Sequence, residues 1–174
     1  MASKLRFINL KNSGDMMNKI FESNQHFIKN NVDEELPIYP ISAAAKILNV
    51  SVHTLRMYER EGLIIPFKKS TSHRLYSQTD IERIRCIRHA INELKISIAG
   101  IKTIQSLIPC WKIKGCGEED RKNCNAYASH SSPCWSYMHK DNKCEKSDCK
   151  KCEVYNNYSE CTIIKESIIK FINE

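Results

Sequence analysis

Apolar residues recur at helical spacing between residues 41 and 62 and predict two short helices joined by a turn. Ser42 is expected to cap the first helix, whose packing face includes residues 43–45, Ile47 and Leu48, and Ser51 is expected to cap the second. The positions of the second helix that point inward are Val52, Leu55 and Tyr58. Its outer face is then left to His53, Thr54, Arg56, Met57 and Arg60.

The segment after this pair predicts a polar loop and two further helices. Gly62 stands where a helix end favours left-handed backbone, and residues 67–76 have the length of a wing beside the second helix. Ser77 and Asp80 are spaced as a capping box, and Ser97 can cap the last helix. The apolar stripes predicted to enter the core are Ile81, Ile84, Ile87, Ile91 and Leu94, then Ile98, Ile101, Ile104 and Ile108.

Residues 109–161 differ in composition from the rest, because they hold eight of the nine cysteines and few aliphatic side chains. Residues 162–172 have a strongly amphipathic pattern, and we expect that helix to pack on a partner helix. The pattern predicts four parts. These are an N-terminal extension with helical spacing (1–36), a helical unit (37–108), a cysteine module (109–161) and a C-terminal helix (162–174).

Positive charge is concentrated in the helical unit. The net charge of the chain is +7, and residues 41–105 hold eleven basic and five acidic side chains. Lysine and arginine clustered in one domain are what phosphate neutralisation requires, although a solvated basic face would give the same count.

Nothing in the sequence predicts export or a membrane span. No apolar run approaches the roughly 20 residues that cross a bilayer, and the first residues lack a signal-peptide core. We therefore expect a cytoplasmic location, where dense cysteines are typical of metal ligands or redox thiols before structural disulfides.

The order of motifs in residues 38–108 resembles that of MerR-type bacterial transcription regulators. The resemblance lies in residues 54–64 on the second helix, in Arg74-Leu75-Tyr76 at the end of the polar loop, and in Thr79-Asp80-Ile81. Residues 41–44, 73–77 and 99–102 are closer to the heat-shock-repressor-like branch of that family.

This resemblance implies a mainly α fold, in which a winged helix-turn-helix precedes the cysteine module and the C-terminal helix. It also implies a homodimer on double-stranded promoter DNA, with RNA polymerase as an indirect partner. The implied recognition-helix contacts are Ser51, His53, Thr54, Arg56 and Tyr58. Those of the wing are Lys68, Lys69, His73, Arg74 and Tyr76. Family members join subunits through a long helix that Pro109 would stop early here, so residues 162–172 are expected to replace it.

The cysteine module contains a degenerate duplication. Pro-Cys-Trp at 109–111 recurs at 133–135, and Cys-x-x-Tyr at 124–127 recurs at 152–155. This arrangement resembles the paired Cys-Trp modules of several bacterial signalling proteins. A loop-rich segment of this length buries too little apolar surface to fold unaided, so thiolates on a metal are expected to replace the missing core. The predicted ligands are Cys110, Cys116, Cys124, Cys134, Cys144, Cys149 and Cys152.

Three occupants of the module fit the sequence. One or two zinc ions, an iron–sulfur cluster, or thiol–disulfide chemistry without a metal would each suit this many cysteines. Only Cys149 and Cys152 have the tight spacing of a zinc knuckle. His130 and His139 are expected to be solvated, and Cys86 is expected to pack within the helical unit.

These observations predict a DNA-binding transcriptional regulator whose cysteine module senses metal or redox state. Occupancy or oxidation would change how the module packs on the dimer helices and so rotate the two DNA-binding units. The alternative is a DNA-binding adaptor whose structural zinc module binds another protein. We do not expect an enzyme, because no Cys/His pairing of a catalytic kind stands out.

Overall fold

The computed structural model describes residues 33–68 and 73–156. The chain divides into two compact units, Met1–Asp33 and Glu34–Glu174, and the described residues after Asp33 all belong to the second. Three sequence predictions lie outside the described residues: the helix within residues 1–32, Lys69 and the helix of residues 162–172.

The first two helices are α1 (Ile41–Ile47) and α2 (Val52–Arg60). The predicted cap of α2 is confirmed, because the Ser51 side chain accepts a hydrogen bond from the backbone amide of Thr54 at 3.0 Å. The three predicted inward positions of α2 are all buried or partly buried in the core. The predicted cap of α1 is wrong, because Ser42 lies inside the helix and Pro40 precedes it.

Three short antiparallel strands form a sheet in the order β1-β3-β2. They are β1 (Tyr39–Pro40), β2 (Phe67–Lys68) and β3 (Arg74–Tyr76). Strands β2 and β3 pair Lys68 with Arg74, so the predicted wing contains an antiparallel pair of strands beside α2.

Two longer helices complete the helical unit: α3 (Gln78–Asn92) and α4 (Ile98–Ser106). The capping box of α3 is confirmed, with Ser77 and Asp80 each accepting from the other's backbone amide. The Ser97 cap of α4 is confirmed as well. The stripe of α3 ends earlier than predicted, because Leu94 is 58% exposed. That of α4 is interrupted at Ile104, which is 39% exposed, but its last member, Ile108, is buried.

The cysteine module consists of short helices separated by turns. The α-helices are α5 (Cys110–Ile113), α6 (Glu118–Lys122), α7 (Asn125–Ala128) and α8 (Glu153–Asn156), with single-turn 3-10 helices at Cys134–Ser136 and Cys149–Lys151. A second, smaller apolar cluster lies here, formed by Ile108, Trp135, Val154 and Tyr155.

In the part of the chain that the structure describes, no helix is both long enough and apolar enough to cross a bilayer.

Candidate DNA interface and cysteine-lined cavity

The outer face of α2 carries polar and basic side chains. Its exposed members are Ser51, His53, Arg56 and Arg60. Thr54 is half-buried, and its hydroxyl lies 2.8 Å from that of Ser51. Met57, predicted for the same face, instead packs against the core. The planar guanidinium of Arg56 has the geometry to pair with a phosphate or with a guanine edge.

One carboxylate ties the wing to α2. Glu59 lies 3.0 Å from the Lys68 Nζ, and it accepts a hydrogen bond from the Arg74 Nε at 2.5 Å. Burial by itself would raise the pKa of Glu59, but hydrogen bonds from Arg74 and Lys68 outweigh it and lower the pKa. The bond to Glu59 also raises the pKa of Arg74. Two implied wing contacts are therefore held beside the implied recognition helix.

We expect Glu59→Gln to lower the free energy of unfolding by about 1 kcal/mol at neutral pH, because the wing loses a charge-assisted contact. A lowered pKa in the folded state means that this stability is present above the usual carboxyl pKa. It is lost as the pH falls through the lowered value. Urea denaturation of both proteins should therefore give a difference at pH 7 that shrinks towards about pH 3.

The matched control for this prediction is Glu61→Gln. Glu61 is paired with Lys102 at the longer distance of 3.6 Å, and its side chain is 38% exposed, compared with 14% for Glu59. A surface pair of this kind contributes little, so the control should have the smaller effect. Equal effects of the two substitutions would contradict the role given to Glu59.

The structure corrects the prediction that two tyrosines contact DNA, because both are buried. Tyr58 is 5% exposed and Tyr76 is fully buried, because both rings pack in the main core. Burial raises the pKa of Tyr58, and it raises that of Tyr76 to about 12. Neither ring is on the outer surface of α2 or of the wing. His73, by contrast, is exposed directly before β3.

The seven cysteines of the module that lie within the described residues all line one cavity. The cavity encloses about 580 Å³, including its opening to solvent. Its cysteines are Cys110, Cys116, Cys124, Cys134, Cys144, Cys149 and Cys152. The structure therefore brings together every predicted ligand. Cys86 is half-buried on α3 and disulfide-bonded, so it is neither a packing thiol nor one of this set.

Four of these cysteines pack against the smaller apolar cluster: Cys110, Cys134, Cys149 and Cys152. Cys110 and Cys134, the equivalent residues of the two repeats, are hydrogen-bonded to each other. That bond lowers the pKa of Cys110 and raises the pKa of Cys134. Burial raises the pKa of Cys149, and it raises that of Cys144, which lies further from the cluster, to about 11.

Histidine and basic side chains also line the cavity. His139 was expected to be solvated, but it is half-buried and its Nε2 lies 3.0 Å from the Cys134 carbonyl oxygen. Lys114 and Arg121 contribute positive charge. Across the described residues, no three His, Cys, Asp or Glu side chains are grouped closely enough to hold a single metal ion. His130 is exposed, as expected.

The two repeats share an aromatic contact. Trp111 meets Tyr127 edge to face, with ring centroids 5.3 Å apart and an interplanar angle of 86°. Trp135 meets Tyr155 in the same way, at 5.2 Å and 90°. The duplication seen in the sequence is therefore repeated in geometry. The pairs differ in burial, because Tyr127 is 40% exposed whereas Tyr155 is fully buried.

The Trp135–Tyr155 pair contacts the backbone between α2 and the wing. The Trp135 Nε1 donates to the Gly62 carbonyl oxygen at 2.8 Å, and the Ile65 amide donates to the Tyr155 hydroxyl at 2.8 Å. Gly62 has a φ of +73°, and a Cβ there would lie 2.6 Å from the Ser136 Oγ. The positive φ favours glycine at this position, and a Cβ would also require the Ser136 hydroxyl of the module to move.

Two basic side chains, Arg83 and Lys150, complete this contact, and neither was predicted from the sequence. Arg83 is 2% exposed, stacks on the Tyr155 ring with its guanidinium carbon 3.8 Å from the centroid, and donates to the Tyr155 carbonyl oxygen. Lys150 donates to the buried carboxylate of Asp80 and lies 5.2 Å from the same ring centroid. No sequence signal singles them out, because each stands among other basic residues that are exposed.

Residues 39–107 match the family model described as MerR HTH family regulatory protein. This segment is therefore similar to the helix-turn-helix domain of MerR-type regulators, the family that its motifs resemble in the sequence.

Several known proteins are similar to part of the chain. A Streptomyces coelicolor protein named as the heat shock protein HspR is 39% identical over 42% of this chain and 49% of its own length. A Haemophilus influenzae protein named as a probable heavy metal-dependent transcriptional regulator is 45% identical over 30% of this chain and 41% of its own length. The transcriptional regulator HmrR of Sinorhizobium medicae is 34% identical over 47% of this chain and 54% of its own length. The chain thus spans about half the length of these relatives. No solved structure shows significant similarity to it.

Proposed function

We propose that this protein is a cytoplasmic, homodimeric DNA-binding transcriptional regulator whose cysteine-lined cavity senses metal or redox state. In this proposal α2 enters the major groove, and the wing binds the adjacent phosphates. The exposed polar face of α2, the basic wing and the similarity of residues 39–107 to MerR-type regulators support the DNA-binding part.

The observation that carries the sensing part is the contact of the Trp135–Tyr155 pair with Gly62 and Ile65. Trp135 directly follows the cavity cysteine Cys134, and Tyr155 lies three residues after Cys152. Any occupant that draws these two thiols together fixes the aromatic pair as well. The same pair holds the chain between α2 and the wing, so occupancy of the cavity is coupled to the geometry of the DNA-binding surface.

This coupling differs from the route expected from the sequence. There, the module was expected to act through dimer helices, and the C-terminal helix that would supply them lies outside the described residues. The described contacts run within one chain, from the cavity to the end of α2. The proposed response is a change in how firmly α2 and the wing are held in each subunit.

The test of DNA binding is the double variant Arg56→Ala with Arg74→Ala, titrated with random-sequence duplex DNA at several salt concentrations. We expect weaker binding, and a slope of log affinity against log salt that is less steep by about 2 if both side chains meet phosphates. The matched control, Arg85→Ala with Lys122→Ala, removes the same charge from exposed sites on α3 and α6. An unchanged slope in the Arg56 and Arg74 variant would refute these contacts.

The second candidate function is a DNA-binding adaptor whose module binds another protein. Its supporting observation is the exposure of apolar side chains on the module, where Met138 is 88% and Tyr127 is 40% exposed. Here structural zinc would hold the module constantly folded. The two functions differ in one respect: DNA affinity should follow the state of the cavity in a sensor and should not follow it in an adaptor.

A further inference from the structure

One cysteine among the described residues lies away from the cavity. Cys86 is half-buried on α3 and is disulfide-bonded, whereas the seven cysteines that line the cavity are free thiols. The chain has nine cysteines, so Cys161 is the one that remains as a partner for Cys86 within it. We infer that a disulfide joins Cys86 to Cys161 and ties the C-terminal segment of the chain to α3.

The described contacts bring the chain close to Cys86 shortly before Cys161. Arg83, on α3, stacks on the Tyr155 ring and donates to the Tyr155 carbonyl oxygen. Cys86 follows Arg83 by three residues, so the two share a face of the helix and lie about 5 Å apart along its axis. Cys161 follows Tyr155 by six residues, which span at most about 20 Å when extended. The chain that leaves α8 is therefore long enough to bring Cys161 within the roughly 7 Å between Cα atoms that a disulfide allows.

The loop that this disulfide closes contains the whole set of cavity cysteines. Residues 86–161 include the end of α3, all of α4 and each of the seven free thiols. Arg83 already holds the Tyr155 end of the module against α3, and the disulfide adds a covalent link about one helical turn further along. Oxidation of the pair therefore limits how far the module can move from α3, and reduction removes that limit.

The proposed location makes this bond a redox switch. Cytosolic thiols are kept reduced, and the disulfides that form among them are mostly transient and redox-sensing. The Cys86 side chain is only half-buried, so small thiols have access to it. The switch rests on the proposed function only for the cytoplasmic location, and it is a second redox site beside the cavity.

The oxidant that the step requires is a small disulfide such as glutathione disulfide. The thiolate of one cysteine attacks that disulfide, forms a mixed disulfide and releases one glutathione. The thiolate of the other cysteine then attacks the protein sulfur of the mixed disulfide, which forms the bond between Cys86 and Cys161 and releases the second glutathione. The protein loses two electrons and two protons, and glutathione disulfide gains both. An excess of reduced glutathione reverses the two steps.

The first test is peptide mapping of the full-length protein. One sample is equilibrated with glutathione disulfide and another with reduced glutathione, the free thiols are alkylated, and both are digested with trypsin and a protease that cleaves after glutamate. Trypsin alone leaves Cys152 and Cys161 on one peptide, but cleavage after the glutamate that precedes Cys161 separates them. We expect residues 86–88 linked to residues 161–165 in the oxidised sample, and both peptides alkylated in the reduced one. Alkylation of Cys86 in both samples, or its linkage to any other cysteine, would overturn the proposal.

A non-reducing gel of the same samples shows whether the bond lies within one chain. The oxidised protein that contains the linked peptides should run at the mass of a single chain. If those peptides came only from a dimer that a reductant separates, the bond would join two copies. It would then not tie the C-terminal segment to α3 of its own chain.

Two single variants test what the bond does. Oxidation should raise the Tm of the unmodified protein by roughly 10 °C, because the closure of so long a loop restricts the unfolded chain. Cys86→Ser and Cys161→Ser should each lose this rise, and the double variant should lose no more, since neither sulfur alone makes a bond. A shift caused by oxidation of the cavity thiols is common to all four proteins and cancels in the comparison. A rise that persisted in either single variant would contradict the proposed link.

The outcome is separate from that of the proposed function, because none of these measurements involves DNA. Linked peptides in a protein whose Arg56 and Arg74 variant binds DNA normally would leave the disulfide standing and remove the proposed DNA contacts. Salt-sensitive DNA binding by a protein whose Cys86 is alkylated in both samples would do the reverse.

Discussion

Trp135→Ala is expected to lower the free energy of unfolding by about 3–5 kcal/mol and to weaken DNA binding by roughly tenfold. The side chain is 9% exposed, packs edge to face on Tyr155 and donates its indole N–H to the Gly62 carbonyl oxygen. Removal of the ring leaves a cavity in the smaller apolar cluster and an unpaired carbonyl at the end of α2. The contact between the module and the DNA-binding domain should therefore be lost.

The duplication supplies a matched control, Trp111→Ala. Trp111 also follows a Pro-Cys pair and makes the same kind of edge-to-face contact, with Tyr127, but it is only half-buried. We expect a smaller loss of stability and little change in DNA affinity. Urea denaturation and duplex-DNA titration of both variants give the comparison. If Trp111→Ala weakened DNA binding as much as Trp135→Ala, the second repeat would not be the coupling element.

Lys150→Met is the second substitution with a large expected effect. Lys150 is the only cation paired with the Asp80 side chain in the described contacts, and that carboxylate is 1% exposed. When the ammonium is removed and the aliphatic stem is kept, a buried charge is left without its partner. Breaking a buried pair in this way costs about 3–5 kcal/mol. The two backbone bonds of the capping box that Asp80 shares with Ser77 keep the expected loss at the lower end of this range.

The control for this substitution is the neighbouring residue, in the variant Lys151→Met. It removes the same charge from an exposed position on the same 3-10 helix. Its effect on unfolding should be within about 0.5 kcal/mol. The variant Lys150→Met with Asp80→Asn removes both charges and should regain part of the lost stability. The single variant Asp80→Asn completes the comparison. If the stability losses of Lys150→Met and Asp80→Asn simply added in the double variant, the pair would have no coupling energy.

Local rules accounted for most of the helical unit. The caps at Ser51, Ser77 and Ser97 were predicted because a side-chain oxygen close to a helix start satisfies an amide that has no other partner. The inner stripes of α2 and α3 followed from helical periodicity. These rules use only neighbours along the chain, so they hold wherever the helix is placed.

Predictions failed where the outcome depended on a distant partner. Leu94 and Ile104 continue the apolar stripes in the sequence but are exposed, because the described core does not extend over them. The error at Ser42 was local instead, because α1 begins one residue earlier, at Ile41, directly after Pro40. His139 looked like an ordinary loop histidine until the fold placed its ring against the Cys134 carbonyl.

The sequence by itself determined the winged helix-turn-helix, the helix starts at Ser51, Ser77 and Ser97, and the duplicated cysteine module, because each depends on residues close together in the chain. Only the tertiary structure decided what the module contacts. Trp135 is 73 residues from Gly62, Tyr155 is 90 from Ile65, and Lys150 is 70 from Asp80. Pairs so far apart leave no periodic signal in one sequence. Contacts of this kind form only when the core brings both partners together and excludes water from them.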